Sequence, residues 1–485
     1  MANVSEPPAG GKAGISSSRP SAPPKSLFGG STIQLRDYQE AGMEALRRGF
    51  TSALRDDAIE YRRTVIERMR ARILRKPTLA AKLEPEIAHI QKRLKENRTR
   101  AMMLVSPTGS GKGTVAAYAL TEAARKGNPS VFIVHTREIV KDVHARLVEN
   151  GAPAGIILSG EPEQPDMPIQ VCSLQTLLAR DRRPPARFIT WDEGHHCVAR
   201  SYRSVADAYP HAQHLGLTAT PCRADESPLG DVFDQMVELA TVKELTMRGF
   251  LVPAVITSPD DFTSYNLSAH PVAVYQEKTP GLKAIVFAIS KAEVHALAAE
   301  FNEAGIPALP IDDAMPKLVR EHAIKMFRAG QVRVIINCNV LTEGFDAPET
   351  EVIILAKPYR SPGGMIQAVG RGLRPSPKTG KTYCRILDLC GNWHLHGKPS
   401  DDRHFDLFGE PIILTSSDIA RCPRCKDAVD GWMIALGGPG CPRCGYVRPD
   451  VEEKAPERAP IVEAELHDYA DMQLSLPFAQ QVAAQ

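Results

Sequence analysis

The 485-residue chain lacks any uninterrupted apolar run of about eighteen residues, the length a membrane-crossing helix needs, so no membrane partner is expected. It also lacks the short apolar core of a secretory signal. Met1 to Ser31 are rich in Pro, Gly and Ser, too polar to fold alone, and residues 1–31 read as a disordered leader on a cytoplasmic protein. Net charge is nearly absent at +2, so any nucleic acid must be held by a local basic track rather than by a globally positive surface. A disulfide framework is missing too. Cys172, Cys197, Cys222, Cys338, Cys384 and Cys390 stand singly within strand-like or motif segments, which suits reduced, buried thiols in a reducing compartment.

What is present is ordinary globular material, 43% hydrophobic and 24% charged, in a chain long enough for about three domains. From Ala101 short apolar runs alternate with amphipathic stretches: AMMLVS, a helix over Lys112–Lys126, then VFIVH, IQVCS, RFITWDE and HLGLTAT. The series restarts near Lys283 with KAIVFA, a helix over Ala292–Ala304, IPALPI, a helix over Lys317–Gly330, VRVIINCN, EVIILAK and YCRILDL. Two consecutive α/β domains with parallel sheets follow from that repetition, over residues 32–250 and 251–400. Between Phe50 and Arg100, apolar residues at helical spacing (Ile66, Met69, Ile73; Ile87, Ile90, Leu94) and a break at Pro77 predict a helical hairpin, inserted at about 52–100. Its excess of basic residues reads either as a nucleic-acid or partner contact or as a solvated helical face.

The segment SPTGSGKGT, Ser106 to Thr114, lies where a strand turns into a helix, the setting of a phosphate-cradling loop. Thr108, Gly109, Ser110, Gly111, Lys112, Gly113 and Thr114 would wrap the phosphates of ATP with backbone N–H groups at a helix N-terminus, with Lys112 reaching the outer oxygens. The residue after the lysine is usually a hydroxyl donor to Mg²⁺; here it is Gly113, so either Thr114 takes that role or the ion keeps an extra water. About eighty residues on, RFIT runs into WDEGHH at a strand's carboxyl end, where ligands gather in open parallel sheets. Asp192 would hold Mg²⁺ and Glu193 would polarise the attacking water. His195 and His196 read as coupling elements toward Thr218–Thr220 rather than as metal ligands.

With these motifs in order the chain resembles the superfamily 2 helicases of the DEAD/DEAH-box type, in the branch of type III restriction enzymes and strand-separating repair helicases. The resemblance spans Leu35 to Asp388 and implies two tandem RecA-like parallel-sheet domains with ATP between them. It implies that Gln39, with Arg36, contacts the base through LRDYQ. LTEGFDAPE would place Gly344 and Asp346 on the nucleotide cleft. QAVGRGLRP would aim Gln367, Arg371 and Arg374 at ATP from the second domain, an arginine finger that acts only when the cleft is closed. His135 to Ile139, Ser173 to Thr176 and Ser290 match segments that grip strand phosphates. The nearest patterns belong to DNA-directed members, so the implied partner is DNA, with RNA or a low-turnover remodelling adaptor as the alternatives.

Beyond the motor, Cys422, Cys425, Cys441 and Cys444 form two Cys-x-x-Cys pairs about fifteen residues apart, the spacing of a structural Zn²⁺ ribbon, expected over residues 401–450; a redox pair is the competing reading. Residues 451–485 read as a disordered tail. Its QLSLPF, Gln473 to Phe478, resembles the peptide by which bacterial replication proteins dock on the sliding clamp, against the plainer reading of a stray apolar patch.

Overall fold

The apolar runs from Ala101 onward become short strands, most of them with residues covered on both faces, the pattern that parallel sheets with helices above and below impose. The computed structural model describes residues 33–180, 183–222, 227–338, 340–341, 347–408, 413–414, 419–421, 424–425, 428–430, 440–446 and 456–472.

The first sheet is built from β1 (Ala101–Val105), β2 (Ser130–Val134), β3 (Ala154–Ile157), β4 (Ile169–Ser173), β5 (Phe188–Trp191), β6 (Gln213–Thr218) and β7 (Gln235–Glu238). They lie side by side as β3-β4-β2-β5-β6-β1-β7, every pairing parallel. The second contains β8 (Ala254–Ser258), β9 (Ala284–Ala288), β10 (Ala308–Ile311), β11 (Val334–Asn337), β12 (Val352–Ala356) and β13 (Cys384–Asp388), in the order β10-β11-β9-β12-β13-β8. Its register is parallel throughout these six strands. The largest apolar cluster joins the two sheets through Leu245, Leu251 and Val252, so the domains share packed side chains as well as a linker.

Before β1 come α1 (Asp37–Thr51), α2 (Asp56–Arg75) and α3 (Ala80–Glu96). The hairpin of α2 and α3 turns through a short 3-10 helix at Pro77–Leu79; Ala58, Arg62 and Ile66 are buried on α2, and Leu83, close to the turn, and Ile87 on α3. Asp234, fully buried beside the first sheet, receives Arg62 at 2.5 Å and Arg93 at 2.6 Å, one from each helix. Its other oxygen accepts the backbone N–H groups of Arg100 and Ala101 at the start of β1.

After β13 lie two two-stranded ribbons, β14 (Arg403–His404) with β15 (Ile413–Leu414) and β16 (Ile419–Arg421) with β17 (Ala428–Asp430). One expectation is corrected: residues 456–472, read as part of a disordered tail, return to the second domain and end as β18 (His467–Ala470), antiparallel to β8. Leu267 exchanges backbone hydrogen bonds with Pro460 and Val462, and Asp468 pairs with Arg385 at 3.0 Å. The segment is held by backbone pairing, polar contacts and a few scattered apolar side chains (Ala459, Leu466 and Tyr469), too sparse to leave a periodicity to read.

Candidate active site

β1 ends at Val105, and the chain turns before entering α4 (Lys112–Arg125). The turn is pinned to the sheet by the Ser106 N–H, which donates to the Thr218 carbonyl at 3.0 Å. Gly111 adopts φ 83°, and a Cβ there would lie 2.6 Å from Gln39 Nε2; glycine alone meets both demands. The Lys112 ammonium donates to the carbonyls of Ser106 at 2.7 Å and Pro107 at 3.2 Å. Ser106 and Ser110 are fully buried, and their hydroxyls meet no hydrogen-bond partner among the described residues. Buried hydroxyls in a loop of N–H groups at a helix N-terminus fit an acceptor-rich anion such as a triphosphate. Gly113 and Thr114 are exposed at the start of α4.

Gln39 donates to the Ser110 carbonyl at 3.0 Å and accepts the Arg36 N–H at 3.0 Å, tying the N-terminus of α1 to the loop. Three neighbours were not evident in the sequence. Tyr38 donates to the Ser110 carbonyl at 2.6 Å, Arg36 lies 4.1 Å over the Phe250 ring, and Arg248 bonds Asp37 while lying 5.2 Å from the Tyr38 ring centre. Phe250 comes from the far end of the first domain, so only folding brings it beside LRDYQ, and no local signal marked it.

Asp192 continues β5 by donating its N–H to the Ile133 carbonyl at 3.0 Å. Glu193 then takes φ 47°, a left-handed conformation that costs a non-glycine residue about 1–2 kcal/mol, and opens the turn Gly194–Val198. That turn sets His195 Nδ1 at 3.4 Å from the Glu193 carboxylate and 3.0 Å from the Thr218 hydroxyl. The hydroxyl already donates its hydrogen to the Thr220 carbonyl at 2.8 Å, so Nδ1 carries the hydrogen that bonds it. Thr220 Oγ1 in turn lies 3.5 Å from Gln367 Nε2 on the second domain. The coupling expected of His195 toward Thr218–Thr220 thus has a contact path, and it runs on across the cleft.

The helix Pro362–Val369 delivers the second domain's side. Immediately after it, a Cβ on Gly370 would lie 2.8 Å from Thr108, and the Val252 N–H donates to the Leu373 carbonyl at 2.8 Å. Arg371 is buried, and Arg374 Cγ would be 3.0 Å from a Cβ placed on Gly109. Enclosure pushes the Lys112 ammonium down to about 8, opposed by the charges of Glu193 and Asp192 and reinforced by those of Arg371 and Arg374. Lys112, both carboxylates and both arginines therefore occupy one electrostatic neighbourhood.

Gly344 and Asp346 lie outside the described residues, as does Cys422. Ser173 ends β4, and Thr176 follows it, accepting the Ser159 N–H at 3.3 Å; Arg137 lies just beyond β2 and donates to the Ser159 carbonyl at 2.6 Å. Ser290, after β9, caps the next helix and bonds the Glu457 carbonyl of the returning segment. The remaining cysteines of the ribbon do converge: the sulfurs of Cys425, Cys441 and Cys444 lie within 4.8 Å of one another, beside the β16–β17 ribbon. Gln473 to Phe478 fall outside the described residues, and among those described no helix is long and apolar enough to cross a membrane.

Residues 32–223 match the family described as the type III restriction enzyme, res subunit, and residues 267–376 match the helicase conserved C-terminal domain. A 51.5 kDa protein of a Lactococcus phage is 30% identical over 77% of this chain and 84% of its own length. The putative ATP-dependent helicase IRC3 of Saccharomyces cerevisiae is 28% identical over 62% of this chain and 51% of its own. The putative DNA 3'-5' helicase Rad25 of Halobacterium salinarum is 26% identical over 67% of this chain and 57% of its own. The chain thus spans most of the phage relative but little more than half of the yeast and archaeal ones. With both halves matched in order around the cleft just described, the chain belongs to the superfamily 2 helicases, in the type III restriction enzyme branch, and is a nucleic-acid-dependent ATPase.

Proposed function

We propose that this ATPase is a DNA translocase or helicase in which Lys112, Asp192, Glu193, Arg371 and Arg374 carry the chemistry. The observation that supports the reading is the close approach of the second domain to the loop, with Gly370 against Thr108, Arg374 against Gly109 and Gln367 3.5 Å from Thr220 across the cleft. Backbone N–H groups from Thr108 to Thr114 and the Lys112 ammonium hold the triphosphate, and Gln39 with Arg36 positions the base. Asp192, together with either the Thr114 hydroxyl or an extra water in the place left by Gly113, would hold Mg²⁺ through oxygen donors, and the ion would neutralise charge on the phosphates. Glu193 accepts a proton from the water that attacks the terminal phosphorus as the bond to the diphosphate breaks. Arg371 and Arg374 stabilise the charge on the transferring group, a contribution worth about 10³ to 10⁵ in rate for an arginine finger. Because the arginines belong to the second domain, cleft closure and hydrolysis are linked, and reopening moves the protein along its track.

DNA is favoured as the track because the archaeal relative is described as a putative DNA 3'-5' helicase. The test is an ATPase panel with single-stranded DNA, duplex DNA and RNA. Stimulation by DNA above RNA is expected, and the reverse order assigns the track to RNA. Lys112→Ala and Glu193→Gln are expected to abolish turnover with the fold intact; retained turnover in both removes the assignment of the site.

Cys422 is proposed to join Cys425, Cys441 and Cys444 in holding one structural Zn²⁺, since three convergent thiols lie at the spacing of a four-thiolate site. One zinc per chain by metal analysis is expected, and a metal-free protein with redox-active thiols overturns it. Gln473 to Phe478 are proposed to dock on a bacterial sliding clamp in the cytoplasm; a pull-down with the purified clamp that is unchanged by deleting them removes that partner.

A further inference from the structure

We infer that the distal end of the α2–α3 hairpin is a second nucleic-acid contact, a sequence-independent clamp on the phosphate backbone separate from the motor motifs; this rests on the reading of the protein as a nucleic-acid motor. Between Arg68 and Lys82 the chain carries six basic residues, Arg68, Arg70, Arg72, Arg75, Lys76 and Lys82, and no acidic one. All six are exposed, and none of their side chains makes an ion pair or hydrogen bond with the described residues. At the root the same helices behave in the opposite way. Arg62 and Arg93 are consumed by Asp234, Arg100 by Glu96 and Arg55 by Asp57.

A merely solvated helical face interleaves signs, because i,i+4 pairs of opposite charge help and like pairs oppose helix formation by about 0.2–0.5 kcal/mol each. Here Arg68, Arg72 and Arg75 stand at i, i+4 and i+7, one stripe of like charge. The last turn of α2 gains something from cations near its C-terminus, yet that covers Arg72 and Arg75 alone. The stripe projects. Ile66 is the last buried residue of α2, and Arg75 lies about 14 Å further along the axis at the rise of an α-helix. Leu74, 84% exposed, stands beside it. The base of the hairpin is locked, since Asp234 binds both helices and the first residues of β1, so a force on the tip is delivered to the ATP-binding sheet. A rigid arm ending in six cations is complementary to a polyanion, and because the whole chain carries a net charge of only +2, these six residues stand out against a remainder that is net acidic.

The test compares full-length wild type with Arg68→Gln/Arg72→Gln/Arg75→Gln by fluorescence anisotropy on labelled duplex and single-stranded DNA over a salt series. Each lost phosphate contact removes about 0.9 from the slope of log affinity against log salt on duplex, so a drop of about 2–3 is expected, with affinity falling on the order of tenfold. The Lys replacements at the same three positions are expected to keep the wild-type slope. Melting temperature is expected not to fall, and to rise slightly as like-charge repulsion is relieved, and ATPase without nucleic acid is expected to stay unchanged, since the stripe touches neither core nor cleft. A larger loss on duplex places the arm on the double strand and an equal loss places it on either; both support the contact. An unchanged slope on both DNAs overturns it and leaves the arm to a protein partner. A wild type that binds with the expected slope loss in the variant, but whose ATPase no nucleic acid stimulates, sinks the motor reading while sparing the arm.

Discussion

Gly113 occupies the position after the loop lysine where a hydroxyl would ordinarily meet Mg²⁺, and a Cβ there would find nothing within 4 Å. Gly113→Ser is therefore expected to fold without strain, to gain a few tenths to about 1 kcal/mol from lower backbone entropy in α4, and to lower the Mg²⁺ concentration needed for half-maximal ATPase. An unchanged Mg²⁺ requirement would mean that Thr114 already fills the role. His214 offers a pH test. Burial pushes its pKa down to about 4, against the pull of the Tyr209 carbonyl, and its Nδ1 accepts the Trp191 indole N–H at 3.1 Å. The folded protein holds this ring neutral while the unfolded chain binds a proton below about 6.5, so stability falls as pH drops from there toward 4, by about 3 kcal/mol in all. His214→Gln is expected to flatten that part of the unfolding profile, read by denaturant titration at pH 7 and pH 4.5. At this scale Lys112, Asp192, Glu193 and the two arginines could be singled out in the sequence because each sits in a motif of fixed covalent spacing, and the roles given to them are the ones proposed above. Tyr38, Arg248 and Phe250 were not, because the Phe250 contact spans more than two hundred residues of chain.

The hairpin and the returning strand show what patterns of whole elements reveal and conceal. Ile66 and Ile87 recur at helical spacing with their neighbours, so both arms and the break near Pro77 could be read directly. Their anchor could not. Asp234 lies far downstream, and nothing local marks it as the acceptor of two guanidiniums and two backbone N–H groups. Asp234→Ala leaves Arg62 buried without its counter-charge and is expected to cost about 3–5 kcal/mol, measured by urea unfolding, with the hairpin becoming protease-sensitive first. β18 escaped detection for a different reason. Its four residues, His-Asp-Tyr-Ala, have no apolar face; Asp468 is held by Thr257 and Arg385, and Tyr469 packs on Trp393 at 4.8 Å. Truncation after residue 455 is expected to expose the edge of β8 and lower solubility, visible as concentration-dependent aggregation.

Across the whole molecule, the path from Glu193 through His195, Thr218 and Thr220 to Gln367 joins the two domains by side chains with discrete bonding partners. Thr220→Val keeps the shape but removes the hydroxyl that faces Gln367. Nucleic-acid stimulation of ATPase is expected to fall by about tenfold, within the range of ordinary coupling energies, with smaller change in the unstimulated rate. Equal loss of both rates would place Thr220 in the chemistry instead. The order of elements has one further effect, set by β18. Its sheet begins at residue 254 and is completed at residue 470, with the cysteine ribbon strung between. During synthesis the rear lobe emerges with a raw margin, which can be sealed only after the cysteine-bearing segment has left the ribosome as well. Until then the open side of β8 is a sticky seam on the nascent chain, a hazard set by the order of elements alone.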